Sequence, residues 1–119
     1  MVQHLIDTVS DIKGSKIHLV VGHKPELVKN SLDVKKNTGF INQKNQLGTG
    51  HAVRQTLKHL RSNSISLVLY GDGPLVKKST LTKLISSAQK GNLSILTYRP
   101  KSPKGLGRIV RGEGGLVEQ

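Results

Sequence analysis

Residues 16–32 read KIHLVVGHKPELVKNSL, and their reading decides the fold. The apolar run closed by Gly22 predicts a short buried strand. Pro25 then suits the first turn of a helix, where its fixed φ is already helical and its missing N–H is not needed, and this helix carries Glu26, Leu27, Val28 and Leu32. Beyond a polar linker, GFINQ at 39–43 repeats the strand signal.

Outward from that unit the alternation continues. On the N-terminal side Val2, Leu5, Ile6, Val9 and Ile12 recur at helical spacing, with Gly14 as the stop and no capping residue ahead of the helix. On the C-terminal side Ala52, Val53, Thr56, Leu57 and Leu60 share one helical face. ISLVLYGD at 65–72 is a continuous apolar run of the kind found inside a parallel sheet, closed by Gly71 and Asp72. Ser79 is placed to cap a helix carrying Leu81, Leu84, Ile85 and Ala88, which Gly91 ends. LSILTY at 93–98 and GRIVR at 107–111 read as further strands, GEGG at 112–115 as a turn, and LVEQ at 116–119 as a last strand. Alternating helices and apolar strands predict an α/β fold with a mainly parallel sheet flanked by helices. In such sheets ligands sit at the carboxyl ends of the strands. That places Asn42-Gln43, Gly48-Thr49-Gly50 and Tyr70-Gly71-Asp72 on one expected edge.

The 119 residues suffice for one domain with one core. One Phe, two Tyr and no Trp make that core aliphatic. A net charge of +12 favours anionic partners such as nucleic acid, acidic headgroups or small phosphates. The charge is dispersed, however, and Lys outnumbers Arg fourteen to five, with few aromatics to stack bases. Nucleic-acid recognition is therefore not the favoured reading, and an AT-rich genome accounts equally for the Lys, Asn and Ser content. Cysteine is absent, which excludes disulfides, thiolate metal ligands and thiol nucleophiles. The chain shows neither a signal peptide nor an apolar run long enough to span a bilayer, so a cytoplasmic location is expected.

QKNQLGTGHAVRQ at 43–55 poses the functional question. Gly48 and Gly50 before a helix leave backbone amides open to a phosphate, or to a flat base packed on bare backbone, and equally suit a plain tight turn. It is not a Walker loop, since no Gly-Lys-Ser/Thr follows, and Val53 breaks the dinucleotide fingerprint. Gln43 carries an amide that donates and accepts at once, as a uracil or cytosine edge demands, or it is an exposed strand-end amide. Asp72 at a strand end is placed to hold Mg²⁺ with water and phosphate oxygens, or to form a turn. The five histidines form no HxxxH or HExxH pair, and His51 reads as a local hydrogen-bonding residue. No GxSxG elbow appears, so nucleophilic hydrolysis has no support.

Taken together, QLGTGHA (46–52), LYGDGPL (69–75), ILT (95–97), GLGRIVR (105–111) and the terminal VE closely resemble the uridylyltransferase domain of the bacterial bifunctional N-acetylglucosamine-1-phosphate uridylyltransferase/glucosamine-1-phosphate acetyltransferase family. MVQHLID at 1–7 is similar to the helix that follows that family's substrate-binding Lys segment. The resemblance implies a Rossmann-like nucleotidyltransferase fold in which a sugar 1-phosphate oxygen attacks the α-phosphorus of UTP and pyrophosphate leaves, with Mg²⁺ neutralising charge. It implies UTP, N-acetylglucosamine 1-phosphate and UDP-N-acetylglucosamine as ligands. It implies uridine contacts from Gln43, Gly48 and Thr49, a sugar-nucleotide site lined by Tyr70, Gly71 and Asp72, and Asp72 as the Mg²⁺ ligand. Gly107 would lie against the sugar and Glu118 would bind its hydroxyls, although the spacing before Glu118 is shorter than the family's. The glycine-rich LAAGxGxRM segment, the later substrate-binding Asn residues and the β-helix acetyltransferase domain, through which family members oligomerise, have no counterpart in 1–119. The expectation is thus an incomplete uridylyltransferase domain of marginal stability and weak or no activity alone. The alternative is a non-catalytic basic protein that binds phosphate or nucleic acid.

Overall fold

The computed structural model describes residues 1–73, 75–115 and 117–118. Its organising unit is the one predicted from residues 16–43. Strand β1 (Ile17–Val21) and strand β2 (Thr38–Asn42) pair in parallel, with Ile17 opposite Thr38 and Val21 opposite Asn42. Helix α2 (Pro25–Asn30) lies in the connection, with Pro25 in its first turn as expected. The N–H of Ile17 donates to the Asn37 carbonyl at 2.9 Å, and the Asn37 amide donates to the Ser15 carbonyl at 3.1 Å, so the ladder is pinned at its entry.

Helix α1 (Val2–Ser10) turns Leu5 and Ile6 inward and packs on β1. It ends short of Ile12, and Gly14 in the left-handed region (φ +79°) lets the chain turn back into the strand. Helix α3 (Thr49–Thr56) packs against both strands and runs into a 3-10 turn at Leu57–His59, so the face expected to reach Leu60 narrows in its last turn. There the His59 ring lies 5.3 Å from the ring of His18 on β1. Helix α4 (Lys78–Ala88) encloses Leu81 completely, and Gly91 (φ +85°) terminates it. Its N-cap is Lys77, without a side-chain cap bond, and Ser79 sits inside the first turn instead of capping it.

The remaining expected strands do not join the sheet. Residues 65–70, 93–98 and 107–110 make no ladder among the described residues. Periodicity reports which faces are apolar, whereas a strand exists through its partner. Leu67 and Leu69 are half-buried while Val68 and Tyr70 on the opposite face stand exposed, so ISLVLYGD has one covered face and no neighbour. An apolar gap of about 220 Å³ separates Ile65 and Leu67 from Leu93 and from Leu84, Ile85 and Ala88 of α4. Near the C-terminus a single antiparallel bridge joins Arg111 to Val117, and the N–H of Glu118 donates to the Val110 carbonyl at 3.0 Å. The expected turn at 112–115 is present as a 3-10 turn over Glu113–Gly115. Pro74 of LYGDGPL, and Leu116 and Gln119 of the expected last strand, lie outside the described residues. No helix among those described is long and apolar enough to cross a membrane.

Candidate functional site

The carboxyl ends of β1 and β2 open into a cleft of about 370 Å³ lined by Gly22, His23, Gln43, Gln46, Gly48, Thr49 and Ala52. This is the size of a small ligand site, at the edge where parallel sheets bind their ligands. Its lining holds amides, a hydroxyl, backbone and one imidazole, with no carboxylate, Lys or Arg. Such a surface suits the flat, neutral, hydrogen-bonding edge of a base better than a phosphate.

Each lining group is held by a local cause. The N–H of Gln43 donates to the Val21 carbonyl at 2.8 Å, extending the ladder one residue past β2 and aiming the side chain across the sheet end. That side chain is buried, with 8% of its surface exposed. Its Nε2 donates to the Gly48 carbonyl at 3.1 Å and lies 2.9 Å from His51 Nδ1. Gly48 is the N-cap of α3 at φ 93°, ψ 179°, a region open only to glycine. This conformation lets its carbonyl take both the Gln43 amide and, at 3.2 Å, the N–H of Ala52. The amides of Thr49 and Gly50 in the first turn of α3 have no acceptor among the described residues and are left for a ligand. The Gln46 side chain lies over Gly22, so close that a Cβ there would stand 3.0 Å from it.

The structure therefore brings together Gln43, Gly48 and Thr49. It corrects one expectation within that group. Gln43 does not donate and accept at once toward a ligand, because both of its N–H bonds point at Gly48 and His51. Tyr70, Gly71 and Asp72 do not line the cleft. They lie in a turn closed by the N–H of Gly73 on the Tyr70 carbonyl at 3.2 Å, with Gly71 beside Val2 of α1. Gly107 is exposed with open space around it, and the Glu118 side chain lies across Gly112. Glu118 lies beside the C-terminal bridge, and neither residue lines the cleft. The single shared edge expected from the strand endings is thus two edges, because the 65–70 segment has no ladder to align it with β1 and β2.

Sequence reasoning passed over Gly22, Gln46, His51 and Gln55 as site residues. Gly22 was legible, since it ends a strand. The link from Gln43 through His51 to Gln55, whose amide lies 3.0 Å from His51 Nε2, spans a loop and a helix turn and leaves no linear pattern. On the opposite end of β1, burial first, and then the charges of His59 and Lys16, hold the imidazole of His18 below the usual histidine range. That pair fastens α3 to the sheet and lies outside the cleft lining.

A resident Mg²⁺ would have to be held by Asp72. Among the described residues no group of three or more His, Asp or Glu side chains could enclose a cation. Asp72 is exposed, and its carboxylate has no hydrogen bond or ion pair among those residues. One hard oxygen donor fits Mg²⁺ only where phosphate and water complete the shell, which is how that ion is usually bound.

A parallel strand pair flanked by helices, with a cleft at its carboxyl end, places the chain in the α/β class whose ligands bind at that edge. The chain belongs to the MobA-like NTP transferase domain family, which matches residues 1–108. Among curated proteins it is similar to bifunctional protein GlmU of Marinobacter nauticus, 43% identical over 118 residues covering 99% of this chain and 26% of that protein. It is likewise similar to bifunctional protein GlmU of Ruthia magnifica, 47% identical over 116 residues covering 93% of this chain and 25% of that one. The resemblance first carried by QLGTGHA and LYGDGPL thus extends along the whole chain, which spans about a quarter of the length of these relatives.

Proposed function

We propose that the protein is a uridylyltransferase-type domain whose cleft binds the uridine of UTP, and whose reaction joins the uridylyl group to N-acetylglucosamine 1-phosphate, giving UDP-N-acetylglucosamine and pyrophosphate. The observation that carries this reading is the uncharged, amide-lined cleft at the ends of β1 and β2, with Gln43 buried at its wall. The base would lie against Gly48, whose lack of a side chain leaves the backbone bare, and the free amides of Thr49 and Gly50 would donate to its carbonyl oxygens.

In the transfer a sugar-phosphate oxygen attacks the α-phosphorus, the bond to the bridging oxygen breaks, and pyrophosphate carries away the electron pair. Such chemistry asks a protein for positioning and charge stabilisation and needs no protein nucleophile. Tyr70, Gly71 and Asp72 are proposed to border the sugar nucleotide, with Gly107 against the sugar and Glu118 on its hydroxyls. Mg²⁺ held by Asp72 would supply charge neutralisation at the phosphates. Because Asp72, Gly107 and Glu118 stand away from the cleft, we expect the 119-residue chain to bind nucleotide more readily than it turns it over.

The reading is tested by titrating the chain with UTP and UDP-N-acetylglucosamine, and by following pyrophosphate release from UTP with N-acetylglucosamine 1-phosphate. Saturable binding lost in Thr49→Pro, which removes a first-turn amide, would support it. A protein that binds neither nucleotide but binds oligonucleotides, with affinity falling steeply as salt rises, would instead be the non-catalytic basic binder.

A further inference from the structure

We infer that His18 and His59 form a two-histidine site for a late first-row divalent cation, with Zn²⁺ as the type ion, which clips the end of α3 onto β1. The site lies outside the cleft and does not depend on what the cleft binds.

Three observations converge on this pair. The first is separation. Two imidazoles that share one tetrahedral ion, each with a metal–nitrogen bond of about 2.0–2.1 Å, hold their ring centres about 5 Å apart. The centres of His18 and His59 stand 5.3 Å apart with the ring planes tilted by 30°, close to that spacing before any ion is added. The second is the state of the ring nitrogens. Both nitrogens of His51 lie within hydrogen-bonding distance of glutamine amides, whereas neither ring of the His18–His59 pair has a hydrogen bond among the described residues. The third is access. His18 is half-buried and set by the strand, and His59 is exposed at the end of the 3-10 turn, so one ligand is held in place and the other meets solvent.

The donor set selects the ion. Neutral imidazole suits Zn²⁺, Ni²⁺ and Cu²⁺, whereas Mg²⁺ and Ca²⁺ take oxygen ligands and gain nothing from the pair. Lys16, two residues before His18, places a positive charge near the rings and opposes any cation there. With two protein ligands, water in the remaining positions and that opposing charge, the site is open and exchanging, unlike the four-ligand sites that close around a structural Zn²⁺. Its effect on the fold follows from where the ligands sit. One is on β1 and the other follows α3, so the pair is assembled only in the folded chain, and an ion bound to it stabilises that state by mass action.

The test uses the untagged 119-residue chain in buffer free of chelator, with ZnCl₂ as the probe and MgCl₂ as the control. Melting temperature and imidazole ¹⁵N shifts are the readouts. The expected result is a melting temperature that rises to saturation with one equivalent of Zn²⁺ and does not rise with Mg²⁺, with shifts confined to His18 and His59. His59→Ala and His18→Gln should each weaken Zn²⁺ binding about tenfold or more, while His4→Ala on α1 leaves it unchanged. Zn²⁺ binding that survives His59→Ala, or shifts that fall on other histidines, would overturn the inference. So would no binding at all, which would leave the two rings as an offset contact between side chains. If His18→Gln does not fold, the exposed His59→Ala variant and the wild-type shifts decide the matter.

Discussion

Gly48 and Gly50 occupy the same short loop, yet the structure assigns them opposite roles, and replacing each by alanine separates them. Gly48 sits at φ 93°, ψ 179°, and no atom lies within 4 Å of where a Cβ would be, so alanine there meets no clash and any effect is backbone strain. That region is essentially closed to residues with a Cβ, and holding one there costs about 1–3 kcal/mol. The chain could escape by rerouting residues 47–49, but the Gly48 carbonyl would then leave the buried Gln43 amide, and an unmade buried donor costs about 1–3 kcal/mol as well. Either way Gly48→Ala loses at least about 1 kcal/mol. Gly50 is different. It lies inside the first turn of α3, outside the positive-φ set and with open space around it, so alanine should gain about 0.5–1 kcal/mol through reduced freedom of the unfolded chain. With a urea m-value of about 1–3 kcal/mol per molar, the two variants should bracket the wild type with midpoints separated by roughly 1 M. Urea titration followed by circular dichroism at 222 nm, a wavelength chosen for helix content of about this scale, reads the separation directly. A Gly48→Ala protein as stable as wild type would refute the argument, because it would mean that nothing holds residue 48 in its glycine-only conformation.

Two further outcomes are expected. The folded protein holds His18 below the ordinary value of 6.5, chiefly by burial and then through His59 and Lys16, so the unfolded chain binds the proton more readily. The stability contributed by neutral His18 is therefore complete above 6.5 and is lost as pH falls below that value toward the folded one; thermal melts across this window should show a loss that His18→Gln removes, and an unchanged acid profile in that variant would contradict it. Leu81 is the one large side chain among the described residues with no exposed surface, so Leu81→Ala should destabilise by about 2–5 kcal/mol in the same urea assay, and a loss under about 1 kcal/mol would show that α4 is not seated.

What the sequence revealed follows from how far each signal reaches along the chain. The run ending at Gly22, Pro25 in the next turn and GFINQ all act locally, and they returned β1, β2 and the start of α2 nearly residue for residue, although α2 ends at Asn30, short of the expected Leu32. The chain reversals at Gly14 and Gly91 were legible for the same reason, since a positive φ is met most readily by glycine, although α1 itself already ends at Ser10. The capping role expected of Ser79 failed because α4 begins two residues early, at Lys78, with Lys77 at the boundary. ISLVLYGD and LSILTY failed differently. Their composition describes a strand interior correctly, but pairing is a relation to another segment, and no local pattern names the partner. In the site, Gln43, Gly48 and Thr49 were legible as strand end and helix start. The direction of the Gln43 amide was not, because it is decided by the carbonyl of Gly48, which the turn into α3 brings within reach.

The same distinction explains why the binding half of the site stands on firmer ground than the transfer half. The chain exposes 9725 Å², whereas a folded monomer of 12.9 kDa exposes about 6,300 Å². Its radius of gyration is 15.7 Å, against about 13.5 Å for a compact domain of this length. The excess is concentrated in segments without sheet partners: Val68, Tyr70, Leu93, Ile95, Leu96 and Tyr98 all stand in water. Gln43, Gly48 and Thr49, by contrast, are set by the paired strands and by α3, which packs on both. Asp72, Gly107 and Glu118 are carried by segments outside the β1–β2 sheet, so nothing in that sheet fixes their distance from the cleft. The proposed uridine recognition therefore depends on contacts already made within this chain, and the proposed nucleotidyl transfer on the pairing of segments that have no sheet neighbour among the described residues. Any condition that pairs segment 65–70 into a sheet should raise turnover without changing the affinity for UTP. A rise in turnover accompanied by altered affinity would mean that the two halves are not independent.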